Sequence, residues 1–278
     1  MDNELRQLQL TQLEILKVID AICKKNNIKY SLYAGTLLGA VRHQGFIPWD
    51  DDLDICMSRK NYNKFIKVWN KENPVGYLLQ DKNNSPNYTQ SFLKIRKKHT
   101  TFLQDGEPAT QYHIGIFVDV FPIDRMPKKG IDRLLFQIEC ILYQLYTKGY
   151  TPTIGSKVEK IISKLFLSVV PKSKYKIITA YLYKKIIRHN RNNKNHCVAI
   201  ETLSTIITPL PVTLMNTYEN IKFEDGDFMC FKQWDEYLTL KFGDYMKLPP
   251  EDERKPLHKP KIVDFENDYF EHIQKYVK

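Results

Sequence analysis

The sequence predicts a mixed α/β (α+β) fold, in which a small mixed sheet is flanked by helices. Short apolar runs of strand length alternate with stretches whose apolar residues recur at helical spacing. Four carboxylates stand directly before one of the strand-like runs, and a lysine-rich helical stretch separates two parts of the strand pattern. With 278 residues, 42% of them hydrophobic, the chain can bury one large core or two modest ones.

The first part of the chain predicts alternating helices and strands. In order they are helix 4–25, strand 28–34, a short helix through about residue 42, strand 53–57 and helix 61–73. Gly35 turns the chain between the first strand and the short helix, and Thr36 is suited to cap that helix through its hydroxyl. Gly45 and Pro48 mark a loop before the second strand.

The rest of the chain predicts more strands, then long helices. The expected elements are a strand pair at 92–96 and 101–103, a strand at 114–121 ended by Pro122, helices at 131–149 and 157–189, and helix 234–242 ended by Gly243. Pro171 interrupts the second long helix. Residues 198–207 have no clear periodicity, and 249–260 reads as an ordered loop.

The positive charge of the chain is concentrated in its middle. Residues 128–194 contain 15 lysines and arginines against three acids, a net +12, whereas the remainder of the chain carries −2. We therefore expect a core at 1–127, a basic helical insertion at 128–194 and a part at 195–278 that completes the core. The insertion is either an ordinary solvated face or a surface for an anionic partner such as lipid headgroups, a polyanionic acceptor or nucleic acid.

Several classes of protein are excluded by composition. No run of about 18 apolar residues exists, so we expect no transmembrane helix. The polar first ten residues lack the apolar core of a signal peptide. Five scattered cysteines without a Cys-x-x-Cys pair favour a reducing cytoplasm and buried thiols rather than disulfides or a structural zinc site.

The acidic run at residues 50–54 is the main candidate site. In an extended segment Asp50, Asp52 and Asp54 share one face, and Asp51 takes the other. Like charges at such spacing are stable only in water, when protonated, or beside cations. Mg²⁺ prefers oxygen ligands and keeps positions open for phosphates, so the run predicts a metal-dependent phosphoryl-transfer site. The alternative is an exposed acidic turn.

Asp119 is the expected partner of this run. It is a lone acid in an apolar strand, where an unpaired charge is costly. The order strand, Gly-Thr, short helix, Asp-x-Asp strand and later strand aspartate is typical of the nucleotidyltransferase (polymerase-β-like) fold. Asp119 then supplies a third metal-binding carboxylate, although the interval from Gly35 to Asp52 is longer than usual. Pairing with a lysine is the alternative for Asp119.

Three blocks of sequence closely resemble one family. They are Gly35–Ile55, Phe117–Asp124 and Phe242–Glu251. In this order, and spread over residues 28–260, they resemble the LicD family of bacterial phosphorylcholine transferases, which is related to the fukutin-type ribitol-phosphate transferases. A cysteine zinc site like that of the fukutin-related proteins is absent from the sequence, which favours the bacterial branch.

The resemblance implies transfer of phosphorylcholine from CDP-choline to a sugar hydroxyl of a teichoic acid, lipopolysaccharide or capsule precursor, with CMP as the leaving group. Two Mg²⁺ or Mn²⁺ ions are expected, because two metals about 4 Å apart can clamp the attacking and leaving oxygens. The expected metal ligands are Asp50, Asp52, Asp54 and Asp119. Of these, Asp52, Asp54 and Asp119 form the catalytic set, with Asp119 favoured as general base.

Further residues are candidates for binding the donor. Phosphate-binding candidates are Gly35, Thr36, Arg42, Lys94 and Arg96, and for the cations a plain surface role is the alternative. Choline-binding candidates are Trp49, Tyr33, Phe92 and Tyr112, since a quaternary ammonium is recognised by aromatic faces; core packing is their alternative. Glu251, Arg254 and His258 either close over nucleotide or acceptor, or belong to a segment that only packs the tail.

The expected location is the cytoplasm, peripheral at the inner face of the membrane, with no nucleic-acid partner. Three other functions remain open from the sequence. In the first, the donor is a CDP-polyol and the enzyme is a ribitol- or glycerol-phosphate transferase. In the second, the enzyme leaves the nucleotide on its product. In the third, the chain is a non-catalytic basic scaffold that binds membrane or nucleic acid.

Overall fold

A six-stranded mixed sheet with helices around it carries the acidic run. The computed structural model describes residues 3–85, 88–104, 113–151, 157–191, 196–199, 203–258 and 260–270. The helices are α1 Asn3–Lys25, α2 Ala34–His43, α3 Arg59–Glu72, α4 Gly130–Lys148, α5 Lys157–Val169, α6 Tyr175–Arg188, α7 Leu203–Ile207 and α8 Trp234–Phe242. The strands are β1 Ser31–Leu32, β2 Asp54–Ser58, β3 Tyr77–Gln80, β4 Leu93–Lys97, β5 Thr101–Gln104, β6 Phe117–Met126, β7 His196–Ala199, β8 Tyr218–Phe223, β9 Gly226–Phe231 and β10 Pro260–Asp264.

The main sheet is built around β6. Its order is β1-β2-β6-β4-β3, and β7 also pairs with β6. The pair β2–β6 is parallel, whereas the other pairings in this sheet are antiparallel. Two small antiparallel pairs, β8–β9 and β5–β10, complete the strands of the described residues. The predicted mixed α/β class with flanking helices is confirmed.

The central strand differs from its prediction at Pro122. Instead of ending there, β6 runs from Phe117 to Met126. Its first half pairs with β4 through residues 117–120, and its second half pairs with β7 through residues 123–126. Pro122 falls between these two pairings, so its missing N–H costs no hydrogen bond to either strand.

Two other predictions of local structure are wrong. The strands predicted at 92–96 and 101–103 form, but they do not pair with each other: β4 joins β3 and β6, and β5 joins β10. Thr36 does not cap α2, because the helix already begins at Ala34. The Thr36 hydroxyl instead accepts a hydrogen bond from the backbone N–H of Asp54, at 2.8 Å.

The basic helices are attached to the sheet through a second apolar cluster. Phe136 and Tyr143 of α4 and Ile186 of α6 pack with Met126 of β6 and Val198 of β7. The helices α4 and α6 thus pack on the same strand that carries Asp119, and α5 contacts α4. Among the described residues, no helix is both long and apolar enough to span a bilayer.

A buried ion pair joins the start of α3 to β6. Arg59 Nε and Nη2 donate to the two oxygens of Asp124 at 2.8 and 2.5 Å, and Asn190 also donates to this carboxylate at 2.6 Å. The side chain of Asp124 is fully buried and that of Arg59 is 7% exposed. A buried pair of this kind is costly to break, because the remaining charge is left without its partner.

We expect Asp124→Asn to lower the free energy of unfolding by about 3–5 kcal/mol, because Arg59 then remains buried without a counter-charge. For a protein of this size, this corresponds to a fall in Tm of about 10 °C. Thermal unfolding checks this, with Asp225→Asn as the control, since Asp225 forms an exposed ion pair with Lys17. Equal Tm values for the two variants would contradict the assignment.

Candidate active site

The parallel pairing of β2 and β6 brings two strand carboxylates together. In its register Asp54 stands opposite Asp119, and the backbone N–H of Asp119 donates to the carbonyl of Leu53 at 3.0 Å. Adjacent residues in paired strands lie about 5 Å apart, and equivalent positions point to the same face. The third predicted carboxylate therefore lies beside the Asp-x-Asp motif.

The loop that carries the other acids is held by the first helix. Gln9 and Gln12 of α1 are buried, and their side-chain amides donate at 2.9 Å to the backbone carbonyls of Asp50 and Asp51. These bonds use polar atoms that would otherwise be costly to bury. The helix thus fixes the backbone of a loop whose side chains repel one another.

Gly35 leaves room for one of these carboxylates. A Cβ atom at residue 35 would lie 2.8 Å from the Asp50 Oδ2 atom, closer than such atoms approach in practice. Asp50 in turn shares a hydrogen bond with Asp52. The glycine at the start of α2 therefore has a steric role here: it admits the Asp50 side chain against the backbone.

Burial and mutual repulsion raise the pKa of the clustered acids. For Asp50, burial comes first and the charges of Asp52 and Asp51 follow, which raises its pKa to about 8. Burial raises the pKa of Asp52 and raises that of Asp54 well above its usual value, and Asp119 contributes to both shifts. Each ionised carboxylate is thus short of positive charge, the condition under which a cation binds.

Two lysines supply part of that charge. Lys94 of β4 forms an ion pair with Asp119, with Nζ 2.6 Å from Oδ1. Asp119 is therefore paired with a lysine in this structure, as the alternative interpretation of its sequence position expected. Lys241 of α8 is the second, and sequence reasoning did not find it. Burial lowers the pKa of Lys241, while the charges of Asp54 and Asp52 act in the opposite direction.

A third group joins the acidic loop to the tail of the chain. The backbone N–H of His258 donates to the Asp51 carboxylate at 2.9 Å. The Nδ1 atom of the same histidine lies 3.1 Å from the other oxygen of that carboxylate. One ligand atom each from Asp51, Asp52 and His258 lies within 4.8 Å of the others, so these three side chains are suited to hold a metal ion. Burial alone would lower the pKa of His258, but the hydrogen bond and the charges of Asp51 and Asp52 raise it.

This arrangement corrects the prediction that Asp51 lies apart from Asp52. Strict alternation of side chains requires a strand, and β2 begins only at Asp54. Residues 51–53 are irregular, which lets the Asp51 carboxylate approach that of Asp52. The sequence carried one signal for this group: His258 stood among the tail candidates, without an assigned partner.

Comparison with known proteins identifies the family. A sequence model described as the LicD/FKTN/FKRP nucleotidyltransferase domain matches residues 27–131, a span that includes the acidic loop and Asp119. The lipopolysaccharide cholinephosphotransferase LicD of Haemophilus influenzae is 30% identical over 266 residues, covering 91% of this chain and 96% of that protein. This chain belongs to the LicD family.

The family resemblance predicted from the three sequence blocks is thereby confirmed. Two shorter matches cover less of the chain. An uncharacterised protein of Rickettsia typhi is 44% identical over 78 residues, which is 28% of this chain and 25% of that protein. One of Rickettsia prowazekii is 43% identical over 70 residues, which is 25% of this chain and 26% of that protein.

The phosphate-binding candidates of this LicD family member have different environments. Lys94 is paired with Asp119, as described above. Arg96 is only 1% exposed, and its guanidinium donates to the Gln80 side chain and to the Gly115 carbonyl, at 2.5 and 2.7 Å. Arg42 is half-buried and donates to the carbonyl of Tyr245 at 3.0 Å. Arg42 is therefore nearer to solvent than Arg96.

Two of the aromatic candidates are core residues. Tyr33 is 1% exposed and packs between Phe121 and Tyr237, with the Lys241 ammonium 4.6 Å from its ring centroid. Phe92 is also buried and lies 4.4 Å from Phe121, centroid to centroid. Tyr112 lies outside the described residues. The core alternative thus holds for Tyr33 and Phe92.

Trp49 has a different position, because it lines an open cavity of about 400 Å³ beside the acidic loop, here named the Trp49 cavity. The Arg254 guanidinium lies 5.7 Å from the Trp49 ring centroid, and its Nε donates to the Pro249 carbonyl at 2.9 Å. Glu251 is exposed and stands 4.0 Å from Arg254. The tail therefore contacts the Trp49 ring through Arg254 and the acidic loop through His258.

Proposed function

We propose that this chain transfers phosphorylcholine from CDP-choline to a sugar hydroxyl of a cell-surface glycan precursor and releases CMP. One observation carries the proposal: the carboxylates of Asp50, Asp52, Asp54 and Asp119 converge where β2 and β6 run in parallel. Family membership supports phosphorylcholine transfer, since the Haemophilus influenzae relative is a lipopolysaccharide cholinephosphotransferase. Teichoic acid and capsule precursors are acceptors of the same chemical type.

We infer that divalent cations, Mg²⁺ or Mn²⁺, complete this site. The donor set fits a hard cation, because carboxylate oxygens predominate. Burial, and then the charges of neighbouring carboxylates, raise the pKa values of Asp50, Asp52 and Asp54, and a bound cation would offset both effects. Two ions would be held by Asp50, Asp52, Asp54 and Asp119, with Asp51 and His258 beside Asp52 as further ligands. When bound, they would supply charge stabilisation to the transferred phosphate and the leaving oxygen.

The residues of the chain account for the rest of the reaction. The oxygen of the acceptor hydroxyl forms a bond to the phosphorus that carries choline, and the bond from that phosphorus to the CMP oxygen breaks. Asp119 takes the hydroxyl proton as general base. Its contact with Lys94 goes through Oδ1, and Lys94 thereby orients the carboxylate. Gly35 and Thr36, at the start of α2, lie beside Asp50 and Asp54 and are suited to approach the donor phosphates.

The Trp49 cavity is suited to the phosphorylcholine group. Its walls combine three aromatic rings, two acids and two cations: Trp49, Phe242, Tyr245, Asp244, Glu253, Arg42 and Lys247. A zwitterion that carries a phosphate and a trimethylammonium matches such a mixed lining better than a neutral polyol does. The Arg254 guanidinium over Trp49 indicates that this ring face accepts a cation.

The remaining alternatives differ in what supports them. A CDP-polyol donor, with ribitol or glycerol, would use the same carboxylates but would gain nothing from the aromatic walls. A nucleotide-retaining transferase is not favoured by the relative of similar length. A non-catalytic basic scaffold would leave unexplained why four repelling acids are gathered in a chain with a net charge of +10.

We further propose that the enzyme works in the cytoplasm and docks on the inner face of an anionic membrane. Five large apolar side chains of α5, here named the α5 apolar face, are 43% to 72% exposed: Ile161, Ile162, Leu165, Phe166 and Val169. They share about 140° of the helix circumference. The segment around them carries a net +12, which attracts anionic headgroups and opposes docking of a second copy.

Asp52→Asn and Asp54→Asn should each reduce CMP release from CDP-choline at least about 10³-fold, roughly 4 kcal/mol of barrier. Both variants should keep or raise the Tm, because a repelling carboxylate is removed. Mg²⁺ should raise the Tm of the original protein and have less effect on either variant. CMP release that persists in EDTA or in both variants would contradict the metal site and the enzymatic function.

Trp49→Ala should raise KM for CDP-choline about 5- to 30-fold, since a cation–aromatic contact contributes about 1–2 kcal/mol. CDP-ribitol should be affected much less, so the preference for choline narrows. CMP release with both donors measures this. The control is Trp69→Phe, since Trp69 lies in the apolar core and does not line the cavity. If choline and ribitol donors lose activity equally, the Trp49 cavity does not select choline.

Ile161→Ser/Leu165→Ser should weaken binding to vesicles of phosphatidylglycerol and phosphatidylcholine about tenfold or more, because two exposed apolar side chains are removed. The control is Leu10→Ser/Val75→Ser, which changes exposed apolar residues outside the basic helices. Vesicle flotation measures the bound fraction. Equal binding of both variants, or no preference for anionic vesicles, would rule out this docking face.

A further inference from the structure

A second large cavity lies between the loop that precedes β4 and the basic helices. Its volume is about 640 Å³. One wall is formed by Lys82, Asn83, Ser85, Tyr88 and Thr89, and the others are formed by α4, α6 and the turn before α6. We name it the tyrosine–lysine cavity. The phosphorylcholine transfer proposed above uses none of its residues.

The charge of this cavity selects an anionic ligand. Four lysines line it: Lys82, Lys148, Lys172 and Lys176. No Asp or Glu is among the described residues of its wall. Burial and the charge of Arg59 lower the pKa of Lys82 to about 8, while the charge of Asp81, outside the wall, acts in the opposite direction. A trimethylammonium group would be repelled here, so the cavity is unsuited to choline.

The other walls suit a sugar. Four tyrosines line the cavity: Tyr88, Tyr143, Tyr146 and Tyr175. A tyrosine ring offers an apolar face and a polar edge, which match the C–H faces and hydroxyl rims of a pyranose. Three of these rings belong to α4 and to the start of α6, so they are held by helices rather than by a loop.

Two buried hydroxyl groups of the wall await a partner. The Tyr88 hydroxyl and the Thr147 Oγ1 are buried and make no hydrogen bond to any described residue. Buried polar atoms of this kind are normally satisfied. Neither oxygen is reached by solvent, so a polar ligand would pair with them only after a small movement of this wall. Tyr88 itself is only 9% exposed.

Tyr88 of the cavity wall also responds to the charge of the carboxylate site. The pKa of Tyr88 is well above its usual value, first because of burial and then because of the charge of Asp119. Tyr88 is thus within electrostatic reach of the proposed general base.

We propose that the tyrosine–lysine cavity binds a phosphate-bearing glycan, the acceptor of the reaction. The role of this glycan as acceptor rests on the proposed function, whereas its binding to the cavity does not. The lysines contact the phosphate of the glycan, and the tyrosines contact its sugar rings. The positive charge of the helical segment then serves the acceptor as well as the membrane.

The test compares two charge-matched double variants. Lys172→Glu/Lys176→Glu changes two lysines of the cavity wall. Lys174→Glu/Lys184→Glu, the control, changes two exposed lysines of the same turn and helix that do not line it. The probes are maltotriose 6-phosphate and maltotriose, with the Kd measured by calorimetry on the full chain.

The original protein and the control should bind maltotriose 6-phosphate at least tenfold more tightly than they bind maltotriose. The cavity variant should lose about tenfold or more in affinity for the phosphorylated sugar, since charge-assisted hydrogen bonds are removed. An equal loss in the control would mean general attraction of anions. Absence of a preference for the phosphate, or displacement of the probe by CMP, would also overturn the proposal.

These outcomes are separate from failure of the proposed function. CMP release from CDP-choline with a lipopolysaccharide preparation as acceptor, measured on the original protein, tests the transfer chemistry. The calorimetry needs no turnover. Binding without CMP release would therefore leave the glycan cavity in place and remove the phosphorylcholine transfer.

Discussion

Repulsion among closely packed carboxylates is the constraint on which the site depends. The parallel pairing of β2 and β6 sets Asp54 against Asp119, and the preceding loop adds Asp50 and Asp52. Such a cluster opposes folding, so the surrounding elements must hold it. The α1 glutamines fix the loop backbone, while Lys94, Lys241 and His258 bring positive charge from three other parts of the chain.

Much of the fold could be predicted because its helices are amphipathic and long. The periodicity of α1, α3 and α8 identified them almost to their ends, and glycine and proline marked several boundaries. Strand pairing could not be predicted in the same way. β5 pairs with β10, which follows more than 150 residues later, and no local pattern specifies such a partner. The passage of β6 through Pro122 depends on where its two neighbours end.

The residues of the site likewise fall into those that the sequence could predict and those that it could not. Asp52, Asp54 and Asp119 could be found because acids beside or within apolar strands are conspicuous, and the family blocks surround them. Gln9, Gln12 and Lys241 could not, since each looks like an ordinary polar residue of an amphipathic helix. Arg96, Tyr33 and Phe92 have the right chemistry for the donor, but burial removes them from it. Residue type reveals chemistry, whereas exposure requires the fold.

The pairing of β10 with β5 has a consequence for how the enzyme comes into being. His258 reaches Asp51 from the stretch just before β10, while the glutamines that hold the same loop belong to α1. The acidic loop is thus held by side chains from α1 and by a histidine that follows it by about 200 residues in the sequence. Because contacts so distant in sequence carry a cost of loop closure, we expect the loop to become ordered only after the sheet and the β5–β10 pair have formed.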